Sequence, residues 1–236
     1  MFNQKNKKIT YMILSTLLLA SSFSAVIANS TDKHVHHYFN CPEEKKCVTT
    51  DAGEINFNLI KALNKEQPLY VYIKESSQNT NTIVLSNGSR WYLSNFDSIK
   101  SWEKHNNLTI TENHVFLSLY KYALVNLDLN TATPISLISP STPDNKEILY
   151  IKGIDHLNNI IMLNNGQLFL VNKNDHGTLK KFHENNIVIL GANTDESELS
   201  NPFLIIDASL NSNSYLRATT YVTPTATTYV TPVSKT

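Results

Sequence analysis

The sequence predicts a mainly β protein: two tandem small β-barrels, SH3-like or OB-like, each with about five strands and a short helical turn. One observation behind this prediction is an internal repeat, in which residues 72–88 return as residues 150–166 at a constant offset of 78. A unit this long indicates two copies of a small domain, because solenoid units are shorter and need at least about three copies. The other observation is that short β-branched and aromatic runs alternate with turn residues in both copies.

Residues 1–28 carry the parts of a secretory signal peptide. Three lysines stand ahead of an apolar run from Ile9 to Ala20, and Val26-Ile27-Ala28 supplies small or compact residues before a cut. A membrane helix needs about 20 apolar residues, so the length of the run favours a cleaved signal over an uncleaved anchor. We therefore expect an exported protein, periplasmic or secreted, that has no transmembrane span once the signal is removed.

Residues 29–68 are predicted to form a mobile lead-in that contains a small covalent loop. Cys41 and Cys47 are the only cysteines of the chain, and an even count at close spacing predicts one disulfide in an oxidising compartment. Further on, Asp51 and Glu54 resemble the start of a helix, although the apolar residues that follow fit either a helical stripe or a strand. We interpret this stretch as a short helix.

Copy one is assigned to residues 69–140. An Asn-Gly pair, Asn87-Gly88, separates two β-branched or aromatic runs and predicts a tight hairpin, because both central residues of such a turn tolerate positive φ. Ser94 and Asp97 are spaced as a capping pair, and Phe96, Ile99 and Trp102 follow three residues apart, which predicts a helical turn. The predicted strands are Tyr70–Ile73, Thr82–Leu85, Arg90–Leu93, Leu108–Ile110 and Ala123–Leu129.

Copy two is assigned to residues 141–217, and it repeats this order. Its second part matches copy one at an offset of 79, with one inserted residue near 177–183. Residues 218–236 are predicted to be a disordered Thr/Pro-rich tail, because the seven-residue sequence at 218–224 recurs at 226–232 and two such units cannot bury a core. The predicted strands of copy two are Leu149–Ile151, Ile160–Leu163, Gln167–Val171, Ile187–Leu190 and Pro202–Ala208.

The hairpin Ile83-Val84-Leu85-Ser86-Asn87-Gly88-Ser89-Arg90-Trp91 resembles uncharacterised exported proteins of Gram-negative bacteria with tandem small β-barrel repeats. In those proteins a strand, an Asn/Asp-Gly turn and a Trp-bearing strand open a small barrel. Copy two departs from the pattern with Gln167 and Phe169 in place of Ser89 and Trp91. The resemblance implies fold and export, and it implies no activity.

Composition and motifs favour binding over catalysis. Twenty basic and twenty acidic residues cancel, which argues against nucleic acid, whose binding depends on a basic surface. The sequence has no nucleophile elbow, zinc-protease motif or phosphate loop. Aspartates that recur in both copies are explained by turns and caps, since Asp bonds neighbouring backbone readily. We expect no catalytic residue and no cofactor.

The candidate contact residues are Tyr92, Phe96 and Trp102, because copy two has fewer aromatic residues at the corresponding positions and aromatic faces serve glycan and peptide recognition. The competing interpretation places Trp91 in the core and Tyr92 on a solvated strand face. The sequence thus predicts a non-enzymatic binding protein of the bacterial envelope or extracellular space, whose partner is an envelope glycan or protein or a host-surface molecule.

Two other functions remain open at this point. His34, His36 and His37 form a close cluster that could bind Zn(II) or Cu(II), which would suit a periplasmic metal-binding factor or enzyme. The cluster lies in the predicted mobile lead-in, where few ligands would be held in place. Alternatively, the barrels are a structural spacer that presents the C-terminal tail.

Overall fold

The computed structural model describes residues 48–66, 69–115, 117–140, 148–195, 200–209 and 214–222. All of them belong to one compact unit, 46–236. The predicted signal peptide, the histidine cluster, Cys41 and Cys47, and the tail from residue 223 onward lie outside the described residues. The described part is mainly β and contains a closed six-stranded barrel.

The described chain begins with a hairpin and a helix. β1 (Val48–Thr50) pairs with β2 (Gly53–Ile55), so the helix start predicted at Asp51 lies instead in a hairpin turn. Helix α1 (Phe57–Glu66) follows, capped by Asn56, whose Oδ1 accepts from the Leu59 N–H at 3.0 Å. The prediction of a short helix is confirmed, but the helix begins six residues after Asp51. The residues before it form the strands β1 and β2, in keeping with the strand interpretation that the apolar pattern also allowed.

The next six strands form one continuous sheet in the order β3-β4-β5-β8-β7-β6. We refer to residues 69–140 as the N-terminal half. An isolated bridge between Val71 and Leu108 links the segment before β3 to β6. The strands are β3 (Ile73–Ser77), β4 (Thr82–Leu85), β5 (Arg90–Leu93), β6 (Leu108–Glu112), β7 (Tyr122–Asn126) and β8 (Thr131–Ser139).

The closed barrel is formed by the C-terminal half, residues 148–222. Its strands follow the order β9-β10-β11-β14-β13-β12, and β12 also pairs with β9, which closes the ring. This is the same order as in the N-terminal half. The strands are β9 (Leu149–Asp155), β10 (Ile160–Leu163), β11 (Leu168–Val171), β12 (Ile187–Ala192), β13 (Phe203–Asp207) and β14 (Tyr215–Thr220).

The barrel therefore has six strands, one more than the predicted number of about five. The additional strand is β14, and β8 takes the corresponding place in the N-terminal half. β14 pairs with β11 as far as Thr220, so the fold continues past the boundary predicted between residues 217 and 218. Its neighbours on both sides explain this, because Ala218 and Thr219 complete ladder hydrogen bonds that β11 would otherwise leave unpaired.

Both predicted hairpins are present, with a different turn from the one expected. Gly88 has a φ of 81° and Gly166 a φ of 86°, whereas the asparagines before them keep negative φ. Instead of adopting positive φ, Asn87 accepts a hydrogen bond at 3.1 Å from the Ser89 N–H. This is the three-residue connection in which a type I turn ends on a left-handed glycine.

Short helical turns follow β5 and β11. The first is a 3-10 helix, Phe96–Ile99, and its N-cap is Asn95 rather than the predicted Ser94. The second is a 3-10 helix, Lys173–Asp175, that continues into the one-turn helix α2, His176–Leu179. After these turns the halves correspond at an offset of 80: the Trp102 N–H bonds Ile99 O, and the Phe182 N–H bonds Leu179 O. The additional turn explains why the offset of 79 predicted from the sequence is too small.

The halves meet along β6 and β12, which run parallel and pair at Thr111 and Ala192. Gly191 is required at this contact, because a Cβ there would lie 2.6 Å from the carbonyl oxygen of Ile110. β7 and β13 are buried along their whole length. Their alternate side chains pack into two different clusters: Leu124 lies with Leu204 and Ile206, while Val125 lies with Ile205. Each cluster therefore contains residues from both halves.

Candidate functional site

The three predicted contact residues do not form one surface. The Trp102 side chain is only 9% exposed, and its indole N–H donates to Thr131 Oγ1 at 3.0 Å. Phe96 is half-buried and packs against the same hydrophobic cluster. Of the three, only Tyr92 is exposed, at 39%. Trp102 is thus a core residue, and the alternative that placed Tyr92 on a solvated strand face describes that residue correctly.

Trp91 lies in the core, as the competing interpretation required. Its side chain is fully buried, and its indole N–H donates to Ser89 Oγ at 2.7 Å. The ring meets Tyr122 edge-on at a centroid distance of 5.7 Å. Trp91 is thereby fixed from two directions, and this arrangement fixes the strand that carries Tyr92 on its opposite face.

Tyr92 stacks on Tyr120, which comes from the connection between β6 and β7. The two rings are nearly parallel, at 7°, and their centroids are 6.3 Å apart. We call residues 113–121 the β6–β7 loop; Phe116, within it, lies outside the described residues. Leu117 is 85% exposed and Leu119 is 94% exposed. Large apolar side chains that lie close together on a surface indicate a contact site, whereas isolated ones are ordinary.

Hydrogen bonds from one asparagine hold this loop in shape. Asn113 Nδ2 donates to Ser118 Oγ at 2.8 Å and to the Tyr120 carbonyl at 2.7 Å. Its Oδ1 accepts from the Val115 N–H at 3.1 Å. The loop therefore presents its leucines from a fixed backbone, so less conformational entropy is lost when a partner orders them.

Leu117 adopts a left-handed backbone conformation, with a φ of 59°. Glycine and asparagine tolerate this region, but a leucine there is strained by roughly 1 kcal/mol or more. Such strain is concentrated at functional sites, where the surrounding structure holds the residue in place. Among the described residues, every other non-glycine residue with a positive φ is an asparagine.

The base of the loop is attached to the C-terminal half. His114 Nε2 lies 2.8 Å from Thr194 Oγ1, and Thr194 Oγ1 is 3.0 Å from Thr111 Oγ1. Burial lowers the pKa of His114, against the nearby carboxylates of Glu112 and Asp195, which raise it. At neutral pH the imidazole is therefore uncharged and part of a buried polar network.

A second contact joins the halves beside His114. The Tyr215 hydroxyl donates to the Glu112 carboxylate, and the Tyr215 ring meets Tyr122 edge-on at 6.2 Å. Burial raises the pKa of both tyrosines, and the negative charge of Glu112 raises them further. Both hydroxyls are therefore protonated over the physiological range, and Tyr215 serves as a fixed hydrogen-bond donor.

The corresponding connection in the C-terminal half, between β12 and β13, has the same framework. The Asn193 N–H bonds the Pro202 carbonyl as the Asn113 N–H bonds the Lys121 carbonyl, and Asn193 Oδ1 accepts from Asp195 N–H. Its sequence, Thr-Asp-Glu-Ser-Glu-Leu-Ser-Asn at 194–201, is acidic and contains a single leucine. The asparagine framework is therefore common to both halves, whereas the apolar sequence belongs to the β6–β7 loop.

Sequence reasoning treated the β6–β7 loop as a connection and overlooked its residues. One signal could have revealed it: an apolar run, Val115 to Leu119, stands where the other half is acidic. The offset of 79 concealed that comparison, because it misaligned the two connections.

Within the described residues, no three His, Cys, Asp or Glu side chains are grouped so that they could hold a metal ion. The helices described are all too short or too polar to cross a membrane. No family model, curated protein or solved structure was found to match the chain.

Proposed function

We propose that this chain is an exported, non-enzymatic binding protein of the bacterial envelope or extracellular space, and that the β6–β7 loop together with Tyr92 is its contact surface. The partner is a protein with an apolar groove, in the envelope or on a host surface. The exposure of Leu117 and Leu119 carries this proposal. These side chains present hydrocarbon to water, and burying them against a partner releases free energy at about 25 cal/mol per Å² of apolar area.

The geometry of the loop supports recognition of a defined partner. Asn113 fixes the backbone from inside the loop, and Tyr120 stacks on Tyr92 at its edge. Tyrosine is enriched among interface hot spots, and exposed apolar side chains beside it add hydrophobic contact area. The neighbouring connection carries Asp195 at its start, and its negative charge disfavours an anionic lipid surface as the partner.

We further propose that the two halves are tandem barrels of one ancestral type. Their strand orders are identical, and the bridge from Val71 to Leu108 takes the place of the pairing between β9 and β12. We call the contact between the two halves along β6 and β12 the seam. In this arrangement each barrel supplies one connection at the seam whose shape is held by an asparagine. One connection became the contact surface, and the other remained polar.

The proposal is tested by exchanging both leucines for serine, Leu117→Ser with Leu119→Ser. A photo-reactive amino acid at position 120 then reports which envelope or host-surface protein is cross-linked. We expect the position-120 probe in the chain that keeps both leucines to cross-link a defined partner, which the double variant with the same probe no longer captures. Because both side chains are exposed, the melting temperature should stay within about 2 °C of the natural value.

Leu157 provides the matched control, since it is 93% exposed but lies in the turn between β9 and β10. Leu157→Ser should leave cross-linking intact. Equal loss of cross-linking in Leu157→Ser and in the double variant would indicate non-specific hydrophobic association instead of a defined site. Cross-linking that survives the double substitution would assign the contact to another surface.

A further inference from the structure

A cleft of about 440 Å³ lies between helix α1 and the end of the N-terminal half opposite the β6–β7 loop. Its volume is in the range of small-molecule sites, about 300–1,000 Å³. Asn107 precedes β6 and the loop follows it, so the length of this strand separates the two features. The cleft is lined by Lys61, Lys65, Tyr70, Asn107, Leu127 and Asp128.

Two lysines face this cleft from one side of α1. Lys61 and Lys65 are four residues apart, so like charges lie one above the other on the helix, an arrangement that destabilises a helix. Lys61 Nζ donates to Asn130 Oδ1 at 2.9 Å, a neutral acceptor. Within the part of the chain that the structure describes, neither ammonium group has a carboxylate within ion-pair distance. An anion in the cleft would relieve the repulsion.

A carboxylate is fixed across the cleft. Asp128 Oδ2 accepts from the Asn107 N–H at 2.8 Å, and Oδ1 accepts from Asn107 Nδ2 at 3.2 Å. The buried Asn126 holds the turn itself, since its Oδ1 accepts from the Asp128 N–H at 3.0 Å. Oδ2 also accepts from Asn106 Nδ2 at 3.4 Å, so it is Oδ1 that still has acceptor capacity for a hydroxyl group of a ligand.

The barrel fold does not require these groups. Beside the cleft the Leu127 N–H donates to the Asn107 carbonyl. In the C-terminal half the Ala208 N–H donates to the Ile187 carbonyl in the same way. Ser209 bonds the Ile187 N–H there, so a hydroxyl group suffices for the structural role that Asp128 fills. The carboxylate and the amide are therefore additions specific to this cleft.

We propose that the cleft binds a saccharide that carries an anionic group. Lys61 and Lys65 pair with the carboxylate or phosphate, and the 44% exposed Tyr70 ring supports an apolar sugar face. Asp128 accepts hydrogen bonds from sugar hydroxyls. The site is separate from the β6–β7 loop, so its failure would leave the proposed protein contact standing.

The test is calorimetric titration of the full chain with three probes: a glucuronate-containing tetrasaccharide, glucose 6-phosphate and neutral cellotetraose. We expect an acidic probe to bind at least about tenfold more tightly than cellotetraose, with affinity that falls as salt rises. Preference between the two acidic probes identifies the anion as carboxylate or phosphate. If neither acidic probe binds, or cellotetraose binds equally well, the proposal is overturned.

Variants locate the site. The pair Lys61→Gln and Lys65→Gln should lower affinity at least about tenfold, while the pair Lys74→Gln and Lys152→Gln, at exposed strand positions, removes the same charge and should lower it less than twofold. Asp128→Ser keeps the cap seen at Ser209 and should weaken binding. Equal loss in both lysine pairs, or unchanged binding in Asp128→Ser, would contradict the assignment.

Discussion

The β6–β7 and β12–β13 connections both begin with an asparagine whose side chain holds the loop, yet one displays leucines and the other is acidic. Their second residues, His114 and Thr194, occupy corresponding positions and contact each other across the seam. The same comparison applies to the cleft, where Asn107 and Asp128 stand at the positions that Ile187 and Ser209 occupy in the C-terminal half. Backbone contacts that recur are therefore structural, and side chains that differ mark candidate sites.

The largest expected effect concerns the aromatic residue after each helical turn. Trp102 and Phe182 occupy corresponding positions, and both are buried. Trp102→Ala should lower the free energy of unfolding by about 3–5 kcal/mol, because the surrounding core cannot collapse fully around the cavity. Urea unfolding followed by circular dichroism measures the change.

Two further variants sharpen this prediction. Trp102→Phe introduces the residue that the C-terminal half uses, so it should lose less stability than Trp102→Ala. Tyr92→Ala, on the exposed face, should cost less than about 1 kcal/mol. A small loss in Trp102→Ala would mean that the indole is not part of the core and would return it to the candidate contact residues.

The sequence predicted the strands best where side-chain alternation and turn residues agree. The hairpins at Asn87-Gly88 and Asn165-Gly166 are examples, because left-handed glycine and an asparagine side chain encode the turn locally. β8 was overlooked because Pro134 lies inside it, and proline is rare within strands. The residues of β14 were divided between copy two and the tail, because the Thr-rich end of this strand resembles the tail that follows.

The candidate surfaces were much harder to predict. An apolar run such as Val115 to Leu119 has the composition of a buried segment, yet Leu117 and Leu119 are exposed in a loop held by the Asn113 hydrogen bonds. Trp102 was predicted to be a contact residue because copy two has fewer aromatic residues, but its side chain is buried, as is that of Phe182 at the corresponding position. Exposure depends on which faces the two halves bury against each other, and no local pattern records this.

A smaller effect distinguishes Asp97 and Asp175, two aspartates that recur in the sequence at the offset of 78. Asp175 is largely buried and makes a two-pronged ion pair with Arg217, at 2.7 Å and 3.0 Å. Asp97 pairs with Lys100 at 2.8 Å on the exposed surface. Asp175→Asn should therefore cost about 1–3 kcal/mol, and Asp97→Asn less than about 0.5 kcal/mol.

A double-mutant cycle with Arg217→Met isolates the Asp175 pair, because the single substitutions also leave a partner unpaired. Chemical denaturation of the four proteins gives the coupling energy. Equal costs for Asp175→Asn and Asp97→Asn would show that the buried ion pair stabilises the fold no more than the exposed one, and the contrast drawn between the two positions would be wrong.

The smallest effect is a pH dependence at the seam. Burial lowers the pKa of His114 below its ordinary value of 6.5 in the folded protein. The unfolded chain therefore binds the proton at a higher pH than the folded chain does, and the free energy of unfolding decreases as the pH falls below 6.5. The contribution is fully present above that pH and is lost towards the lower, folded-state pKa.

His114→Gln retains a side chain that can reach Thr194 but removes the titration. Urea unfolding at pH 7.5, 6.5 and 5.5 should show a decline in stability that is shallower in His114→Gln than in the natural protein. If Glu112 and Asp195 outweighed burial, the natural protein would instead gain stability as the pH falls. Thr194, the corresponding residue of the other half, carries no titratable group, so the difference between His114→Gln and the natural protein reports the imidazole.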